Sequence, residues 1–303
     1  METMTKKIVN FKPEMEKLIS ADTEIETVAE GFIFTEGPVW DAKNQALLFS
    51  DIPGDTIYKW SSKAGTSVYR KPSHFSNGLT YHPNGFLVSC EHRGRCISME
   101  NEKGEAIPLA THFDGKRLNS PNDVITSSDG SIIFSDPIYG LQEGLGGPAD
   151  AELDFQGVYR FDPADNSLTL LVDDFERPNG LMLSDDEKWL FINDTPRQHI
   201  RVFEVSKSWQ LKNGRIWVEL WDKECIGRPD GMKLDISGNV FCTGPGGVWI
   251  FNPNAELLGR IYLPDKTANL AWGDADYQSL FITSSTFVYR IRCITHGKPL
   301  LKW

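Results

Sequence analysis

Short apolar runs alternate with turn-forming and polar residues along this chain, and one such unit occurs six times. Each unit begins with a polar or acidic residue, continues with a short apolar run, and reaches a pair of turn-forming residues seven positions later. A second apolar run follows the pair, so each unit predicts a strand, a turn and a strand. The units begin at Glu36, Asn77, Asn122, Asn179, Asp230 and Asn269. The turn pairs are Lys43-Asn44, Asn84-Gly85, Asp129-Gly130, Asp186-Glu187, Ser237-Gly238 and Asp276-Tyr277.

This repeat predicts the architecture. Successive units begin between 39 and 57 residues apart, and further β-rich stretches lie between them. Four strands per unit and a period of about 40–50 residues are typical of propeller blades. We therefore expect an all-β fold, a six-bladed β-propeller with four-stranded blades around a central channel. A pair of β-sandwiches also contains many short strands, but it does not require the same register six times.

The parts of the chain outside the six units complete this prediction. The stretch from residue 22 to 30 is expected to supply an outer strand to the last blade and so to close the ring. Residues 21–303 would then form a single propeller domain. Residues 1–20 would form an N-terminal extension, with a short helix in the segment "PEMEKLIS".

Composition narrows the classes of partner and compartment. The chain has 42 acidic and 31 basic residues, a net charge of −11, and no basic run that would bind phosphates, which argues against nucleic acid as a partner. Its five cysteines form no CxxC pair, so neither a disulfide framework nor a zinc ribbon is indicated. With no signal-like segment and no apolar run of about 20 residues, we predict a cytoplasmic protein without a membrane partner. These features leave the oligomeric state open.

The first residues of the six units carry the candidate chemistry. Equivalent positions of successive blades lie on a ring around the channel axis, so these side chains should converge there. Each of them ends in an oxygen acceptor, and two of them, Glu36 and Asp230, are carboxylates. Two negative charges in a channel repel each other and lose solvation unless a cation compensates them. The ring therefore predicts a divalent cation site.

Carboxylate and amide oxygens are hard ligands, which favours calcium, with magnesium or manganese as alternatives. Asn-Gly and Asp-Gly dipeptides are also common in turns, so a purely structural role is an alternative for each of these residues. That alternative has the greatest weight for Asn77 and Asn269, because six residues cannot all bind one ion.

Five motifs in the same order resemble the gluconolactonase branch of the SMP-30/gluconolactonase/luciferin-regenerating-enzyme family. They are "EGPVW", "NSPNDV", "FSDPIYGL", "ERPNGLMLSDDEKWLFINDT" and "RPDGMKLDISGNVF", and the resemblance extends from about residue 31 to 292. It implies a six-bladed propeller that holds one divalent ion and hydrolyses a small-molecule sugar (aldono-) lactone such as gluconolactone. The resemblance adds zinc as a further candidate ion.

The resemblance also implies roles for individual residues. Glu36, Asn179 and Asp230 match metal ligands, and Asp230 is also the expected catalytic proton acceptor. Asn122 matches a position that either binds the ion or holds the substrate. Animal regucalcin-like members have an arginine two residues before this asparagine, whereas this chain has Ser120, so their sugar contacts do not transfer.

Three further features are candidates for substrate contact besides Asn122 and Asn77. His92 in "CEHRGR" is expected near the channel as an acid or base, with a packing role as the alternative. Asp136 in "FSDPIYGL" is expected either to orient substrate or to cap a turn. The Gly-rich, acidic segment of residues 140–157 is expected to form a loop over one end of the channel.

The expected mechanism is attack of water on a lactone carbonyl polarised by the ion, with Asp230 as the base and an ion-bound hydroxide as the competing route. Two other functions use the same ring. One is a calcium-dependent phosphotriesterase-like hydrolase, and the other is a propeller that binds metal without catalysing a reaction. The sequence identifies neither the lactone nor the ion.

Overall fold

A computed structural model describes residues 7–300, and almost all of its regular structure is antiparallel β-sheet. Six sheets each contain four consecutive or ring-closing strands, which confirms the predicted six-bladed propeller. Blades 1 to 3 comprise β3 (Thr35–Asp41), β4 (Ala46–Asp51), β5 (Thr56–Ser61), β6 (Gly65–Arg70), β7 (Ser76–Tyr81), β8 (Leu87–Glu91), β9 (Cys96–Glu100), β10 (Ala106–Ala110), β13 (Val124–Thr126), β14 (Ile132–Asp136), β15 (Gln156–Asp162) and β16 (Ser167–Phe175).

Blades 4 to 6 follow the same plan. They comprise β17 (Pro178–Leu183), β18 (Trp189–Asp194), β19 (His199–Val205), β20 (Leu211–Glu219), β21 (Met232–Leu234), β22 (Val240–Gly244), β23 (Gly247–Phe251), β24 (Leu257–Tyr262), β25 (Thr267–Gly273), β26 (Ser279–Ser284), β27 (Phe287–Arg292) and β2 (Ile25–Glu30). In blades 1 to 5 the first of these strands along the chain lies innermost, and in blade 6 the innermost strand is β25. These six inner strands contact one another in a closed cycle. They therefore line the channel.

The N-terminal strand β2 closes the ring. It pairs antiparallel with β27, with Ile25 opposite Ile291 and Glu30 opposite Phe287. The first strand to be synthesised in blade 6 is thus separated from its partner by nearly the whole chain. This confirms the expected outer strand of the last blade.

Residues 7–20 contribute structure that the sequence pattern did not predict. Strand β1 (Lys7–Asn10) pairs with β24 and makes blade 5 five-stranded. A 3-10 helix follows at Pro13–Lys17, within the stretch where a short helix is expected, and it places Met15 in the core between blades 5 and 6. The division at residue 20 stays a prediction, and residues 1–6 and 301–303 of these ranges lie outside the described residues.

The remaining short elements lie on the channel face or beside it. They are the hairpin of β11 (His112–Phe113) and β12 (Lys116–Arg117), and a 3-10 helix at Tyr139–Leu141. No helix within residues 7–300 is long and apolar enough to cross a lipid bilayer.

Each blade begins with a tight hairpin because its turn residues accept an unusual backbone conformation. In five blades the second residue of the predicted turn pair has a positive φ, from 55° at Glu187 to 89° at Gly85, and blade 1 uses Gln45 instead. Side chains stabilise these turns, as when Asp129 accepts the Ser131 backbone N–H at 2.8 Å. The inner and second strands are therefore fixed in register in every blade.

Large apolar side chains fill the wedges between neighbouring blades. Trp40 of blade 1 stacks on Phe281 of blade 6 with ring centroids 5.4 Å apart, and Phe241 of blade 5 meets Trp272 of blade 6 edge-on at 5.1 Å. Burial of such aromatic groups is a main source of stability in this kind of fold. The core thus lies between the blades and leaves the axis to polar residues.

Candidate active site

The six residues that begin the sequence repeats come together around the channel axis. Glu36, Asn77 and Asn179 each stand second in their inner strand, and the other three lie within two residues of the corresponding strand start. All six are buried, with exposed fractions from 2% for Glu36 to 7% for Asp230. The strand starts face the axis in a propeller, so the repeat register places these side chains in one ring.

Three asparagines form one arc of this ring through side-chain hydrogen bonds. Asn77 Nδ2 donates to Asn122 Oδ1 at 2.6 Å, and Asn122 Nδ2 donates to Asn179 Oδ1 at 2.6 Å. Asn179 Nδ2 in turn donates to the Thr195 hydroxyl at 3.0 Å, and Thr195 donates to the Pro229 carbonyl at 2.8 Å. The arc therefore connects blades 2, 3 and 4 to the residue before Asp230.

The two carboxylates form the opposite arc together with Asn269. Asn269 Nδ2 donates to Glu36 Oε2 at 3.1 Å, and the Gly37 backbone N–H donates to the same oxygen at 2.6 Å. The charge of Glu36 acts on the carboxyl group of Asp230. Asp230 Oδ1 is buried and has no hydrogen-bond partner among the described residues.

Glycines that follow the ring residues allow neighbouring blades to approach closely at the axis. A Cβ atom on Gly180 would lie 1.9 Å from the Asp230 carbonyl oxygen, and one on Gly37 would lie 1.9 Å from the Asn77 carbonyl oxygen. A Cβ on Gly231 would collide in the same way with the Asn269 side chain at 1.9 Å. The Asn-Gly and Asp-Gly pairs are thus not turns here, because their glycine is needed where backbone meets backbone.

Burial makes the negative charges of this site costly in the metal-free protein. Desolvation raises the pKa of Glu36 to about 7, and desolvation together with the charge of Glu36 raises the pKa of Asp230 well above its usual range. Lys266 acts in the opposite direction on both groups. Carboxyl groups held in this state gain most from a nearby cation, because it restores the charge balance that burial removed.

The donor set fits a hard divalent cation. Two buried carboxyl groups, one with an unpartnered oxygen, stand among amide oxygens of the ring, and such oxygens are ligands for calcium, magnesium or manganese. Residues 7–300 contain no group of three or more His, Cys, Asp or Glu side chains arranged to hold a metal. Any ion held by the ring would therefore depend on mixed carboxylate and amide ligands.

A third carboxyl group, Asp123, lies next to the ring and was not among the predicted site residues. It is 4% exposed, accepts the Val124 backbone N–H at 2.9 Å, and has an unpartnered Oδ2 among the described residues. Desolvation raises its pKa, and the charge of Lys233 opposes that shift. The sequence carried a signal for it: the residue after the ring position is glycine in four units but aspartate in blade 3.

His92 reaches the ring, as expected. Its Nδ1 donates to the Leu145 carbonyl at 2.9 Å, which leaves Nε2 as an acceptor 3.4 Å from Asn77 Nδ2. Desolvation lowers the pKa of His92 to about 4, so its imidazole is neutral at physiological pH. It can accept a hydrogen bond from substrate or from Asn77, but it carries no proton to donate from Nε2.

Asp136 does not join the ring. It is fully buried, and its Oδ2 accepts the Asn119 backbone N–H at 2.8 Å, whereas its Oδ1 is buried without a hydrogen-bond partner among the described residues. Asp51 and Asp194 also accept backbone N–H groups, from the segments that lead into blades 1 and 4. These contacts are those of a residue that anchors the approach to an inner strand, which argues against the predicted substrate contact. Four of the six repeat units end in such an acid, so the register contained this signal.

The long segment between β14 and β15 packs against His92 beside the ring, and its place over one end of the channel stays a prediction. Leu145 binds His92, and Gly146 packs so closely on His92 that an added Cβ would lie 2.9 Å from the histidine Cβ. Ser120 accepts the Gly140 backbone N–H at 2.9 Å and donates to the Pro137 carbonyl at 2.5 Å. Ser120 thus holds this segment in place.

Comparisons with known proteins agree with this arrangement. Residues 34–286 match the family described as the SMP-30/Gluconolactonase/LRE-like region. A gluconolactonase of Zymomonas mobilis is 34% identical over 96% of this chain and 87% of its own length. Regucalcin of Xenopus laevis is 26% identical over 85% of each chain. A solved gluconolactonase structure from Xanthomonas campestris has a TM-score of 0.88 at 30% identity and covers 97% of this chain and 98% of its own.

The family match spans most of the chain, and it includes the inner strands of all six blades and the six ring residues. This chain therefore belongs to the SMP-30/gluconolactonase/LRE-like family.

Proposed function

We propose that this protein is a lactonase that opens a sugar (aldono-) lactone such as gluconolactone to its acid, with a divalent cation bound in the ring. The observation that carries the proposal is the burial of Glu36 and Asp230 in one ring whose other four members are neutral amides, because two buried negative charges need a counter-ion. Relatives that cover nearly the whole chain are named gluconolactonase, which supports this choice of substrate.

Glu36, Asp230, Asn179 and Asn122 would hold the ion. Calcium is the first choice because the available donors are carboxylate and amide oxygens. When bound, a divalent cation supplies Lewis-acid polarisation of a carbonyl and stabilises the charge that develops on its oxygen. It also favours the ionised forms of both carboxyl groups, whose negative charges burial alone disfavours.

Asp230 is the proposed base. Its unpartnered Oδ1 is the atom that would take a proton from the attacking water, while Asn193 donates to the backbone carbonyl of Asp230 and holds that residue in place. The neutral amides of Asn77 and Asn122 and the unprotonated Nε2 of His92 would orient the polar lactone. The segment between β14 and β15 would limit the access of bulk water to the bound lactone.

The proposal is tested by replacing the base with an uncharged side chain of the same shape. Asp230→Asn, assayed with glucono-1,5-lactone at a saturating cation concentration, is expected to lower kcat by about 10²- to 10⁴-fold, the range that general-base catalysis contributes. Asp235→Asn is the matched control. Asp235 is buried in the same blade, but it accepts the backbone N–H groups of Ser237 and Asn239 at 2.9 and 2.8 Å and has no contact with the ring.

The substrate and the ion are tested in the same assay. Metal-stripped protein is reloaded with calcium, magnesium, manganese or zinc and given glucono-, xylono- and galactonolactone and one organophosphate ester. The lactonase proposal is wrong if no loaded form opens any lactone faster than buffer. Faster cleavage of the organophosphate than of every lactone would instead assign the ring to phosphotriester hydrolysis.

A further inference from the structure

One tyrosine beside the ring has a hydroxyl group that nothing in the described protein satisfies. Tyr139 begins the 3-10 helix Tyr139–Leu141, at the start of the segment between β14 and β15. Its hydroxyl oxygen is buried and has no hydrogen-bond partner among residues 7–300. A buried hydroxyl without a partner costs about as much free energy as a lost hydrogen bond, so such a group is usually matched by something in the working protein.

The surroundings of this hydroxyl belong to the ring. Thr195 is close enough to affect the Tyr139 phenol, and the negative charge of Asp230 also acts on it. The Thr195 hydroxyl donates to the Pro229 carbonyl and accepts from Asn179, and the Tyr139 hydroxyl has no hydrogen-bond partner among residues 7–300. The phenol therefore lies beside two of the proposed ion ligands, Asn179 and Asp230, with its proton uncommitted.

The tyrosine ring is held from its other side. The Arg177 guanidinium lies over the ring face, 5.4 Å from its centroid, in a cation–π contact. Arg177 stands directly before β17, whose second residue is Asn179. This contact restrains the phenol ring beside the strand that carries Asn179.

We propose that Tyr139 is a further catalytic residue, whose hydroxyl donates a hydrogen bond to an oxygen of the reacting ester group of the lactone. A phenol keeps its proton at neutral pH, because its ordinary pKa is about 10. It can therefore donate to an oxygen on which negative charge develops as water attacks, in the manner of an oxyanion-hole donor. This inference rests on the proposed lactonase function and assigns one more donor to the same site.

Tyr159 provides a matched control for the test. Its hydroxyl is also buried without a hydrogen-bond partner among the described residues, but its ring packs on Phe134 and Phe113 inside blade 3. Tyr139→Phe and Tyr159→Phe therefore remove the same atom from the same kind of environment. They differ in that only Tyr139 lies beside Asp230 and Thr195.

The experiment measures kcat and KM of both variants for every lactone that the unaltered protein opens, including glucono-1,5-lactone and analogues that are epimeric at, or lack, one ring hydroxyl. We expect Tyr139→Phe to lower kcat by about 10- to 100-fold, by the same factor for each lactone and with little change in KM. Tyr159→Phe should keep the unaltered kcat. A loss confined to lactones with one particular hydroxyl would overturn the proposal, since Tyr139 would then recognise that hydroxyl. Equal rates for the two variants would also overturn it.

A second measurement separates this inference from the lactonase proposal. The melting temperature of Tyr139→Phe, without substrate, should equal or exceed that of the unaltered protein, because the variant removes an unsatisfied buried hydroxyl. A clear decrease would show that the hydroxyl already has a partner in the free protein and would overturn the inference, whichever substrate the protein uses. Failure of the unaltered protein to open any lactone would instead contradict the proposed function.

Discussion

The side-chain amide of Asn269, in the last blade, donates a hydrogen bond to Oε2 of Glu36, in the first blade, at 3.1 Å. The ring of polar residues is therefore closed across the same seam that β2 closes in the sheets. Asn269 Oδ1 also accepts a hydrogen bond from the Leu270 backbone N–H at 2.8 Å. It orients the carboxyl group of Glu36 and leaves the proposed ion to the other ring members.

Loss of the Glu36 charge should weaken cation binding. Glu36→Gln keeps the hydrogen-bonding shape of the side chain but removes one of the two charges that balance the ion. We expect the Kd for calcium to rise by about 10²-fold, in line with about 3 kcal/mol for the loss of one partner of a buried charge pair. Isothermal titration calorimetry on the metal-stripped protein measures this change.

Glu91→Gln is the control for that experiment. Glu91 is as deeply buried as Glu36, but its carboxylate bonds to Ser98 at 2.5 Å and to His74 at 2.9 Å, and neither partner is a ring residue. Its variant should keep the calcium affinity of the unaltered protein. An equal loss in both variants would mean that calcium binding reports on fold stability instead of on the ring.

The stability of the metal-free protein should depend on pH through Glu36. Its pKa is raised from 4.5 unfolded to about 7 folded, so its stabilising contribution is complete below pH 4.5 and is lost as the pH rises through 7. Over this window, the unaltered protein should lose about 3 kcal/mol of unfolding free energy relative to Glu36→Gln. Urea unfolding of both proteins at pH 5 and pH 8 measures the difference.

Comparison with Glu36→Gln is needed because His92 changes the unfolding free energy with pH in the opposite direction to Glu36. Its pKa is lowered to about 4, so its contribution is present above the unfolded value of about 6.5 and is lost as the pH falls toward 4. This effect is common to both proteins and cancels in the difference. Saturation with calcium should abolish the Glu36 effect, and a difference that persists in the loaded protein would contradict its assignment to the ring.

Asp136 should prove to be important for stability and dispensable for chemistry. Asp136→Ala leaves the backbone N–H group of Asn119 unpaired in the core, which costs about 1–3 kcal/mol. We expect a lower melting temperature and a kcat within about threefold of the unaltered protein at a temperature where the variant is folded. A large loss of kcat with unchanged stability would restore the substrate contact that the sequence predicted.

The close approach of blades 4 and 5 predicts that a single methyl group damages the site. In Gly180→Ala the new Cβ would meet the Asp230 carbonyl oxygen at 1.9 Å, so the backbone that carries Asp230 must shift. We expect a loss of kcat/KM of about 10²-fold, as for other displacements of about 1 Å at an active site. Gly115→Ala is the control, because its Cβ would enter open space and only the φ of +78° is strained. The control should melt at a lower temperature but keep its activity.

The repeat was sufficient to predict the fold and most of the ring, because rotation about one axis converts a shared register in sequence into proximity in space. Glu36 and Asp230 are a case in point, since only the register connects them. The register also relates Asp136 to the acidic residues that end three other units. This shared position indicates an anchoring role for Asp136. Tyr139 and Thr195 occur once each, outside the register, so no pattern in the sequence places them beside Asp230.

Strand β1 was missed for a related reason. Its pairing with β24 joins Lys7 to Tyr262, across most of the chain, and four residues of mixed polarity give no local signal for a fifth strand in blade 5. Asp123 is an intermediate case. It departs from the glycine found at the same position in four other units, which is visible in the sequence, but its burial is visible only in the structure.

The seam formed by β2 also sets the order in which the protein can become active during synthesis. Strand β2 leaves the ribosome before the strands of blades 1 to 5, whereas β25 to β27, with which it completes blade 6, leave after them. A nascent chain can build blades 1 to 5, but Glu36 receives its bond from Asn269 only after blade 6 has folded. Chains that stop before blade 6 would thus present an open ring without the orienting amide, and the cation site would mature only once that blade is in place.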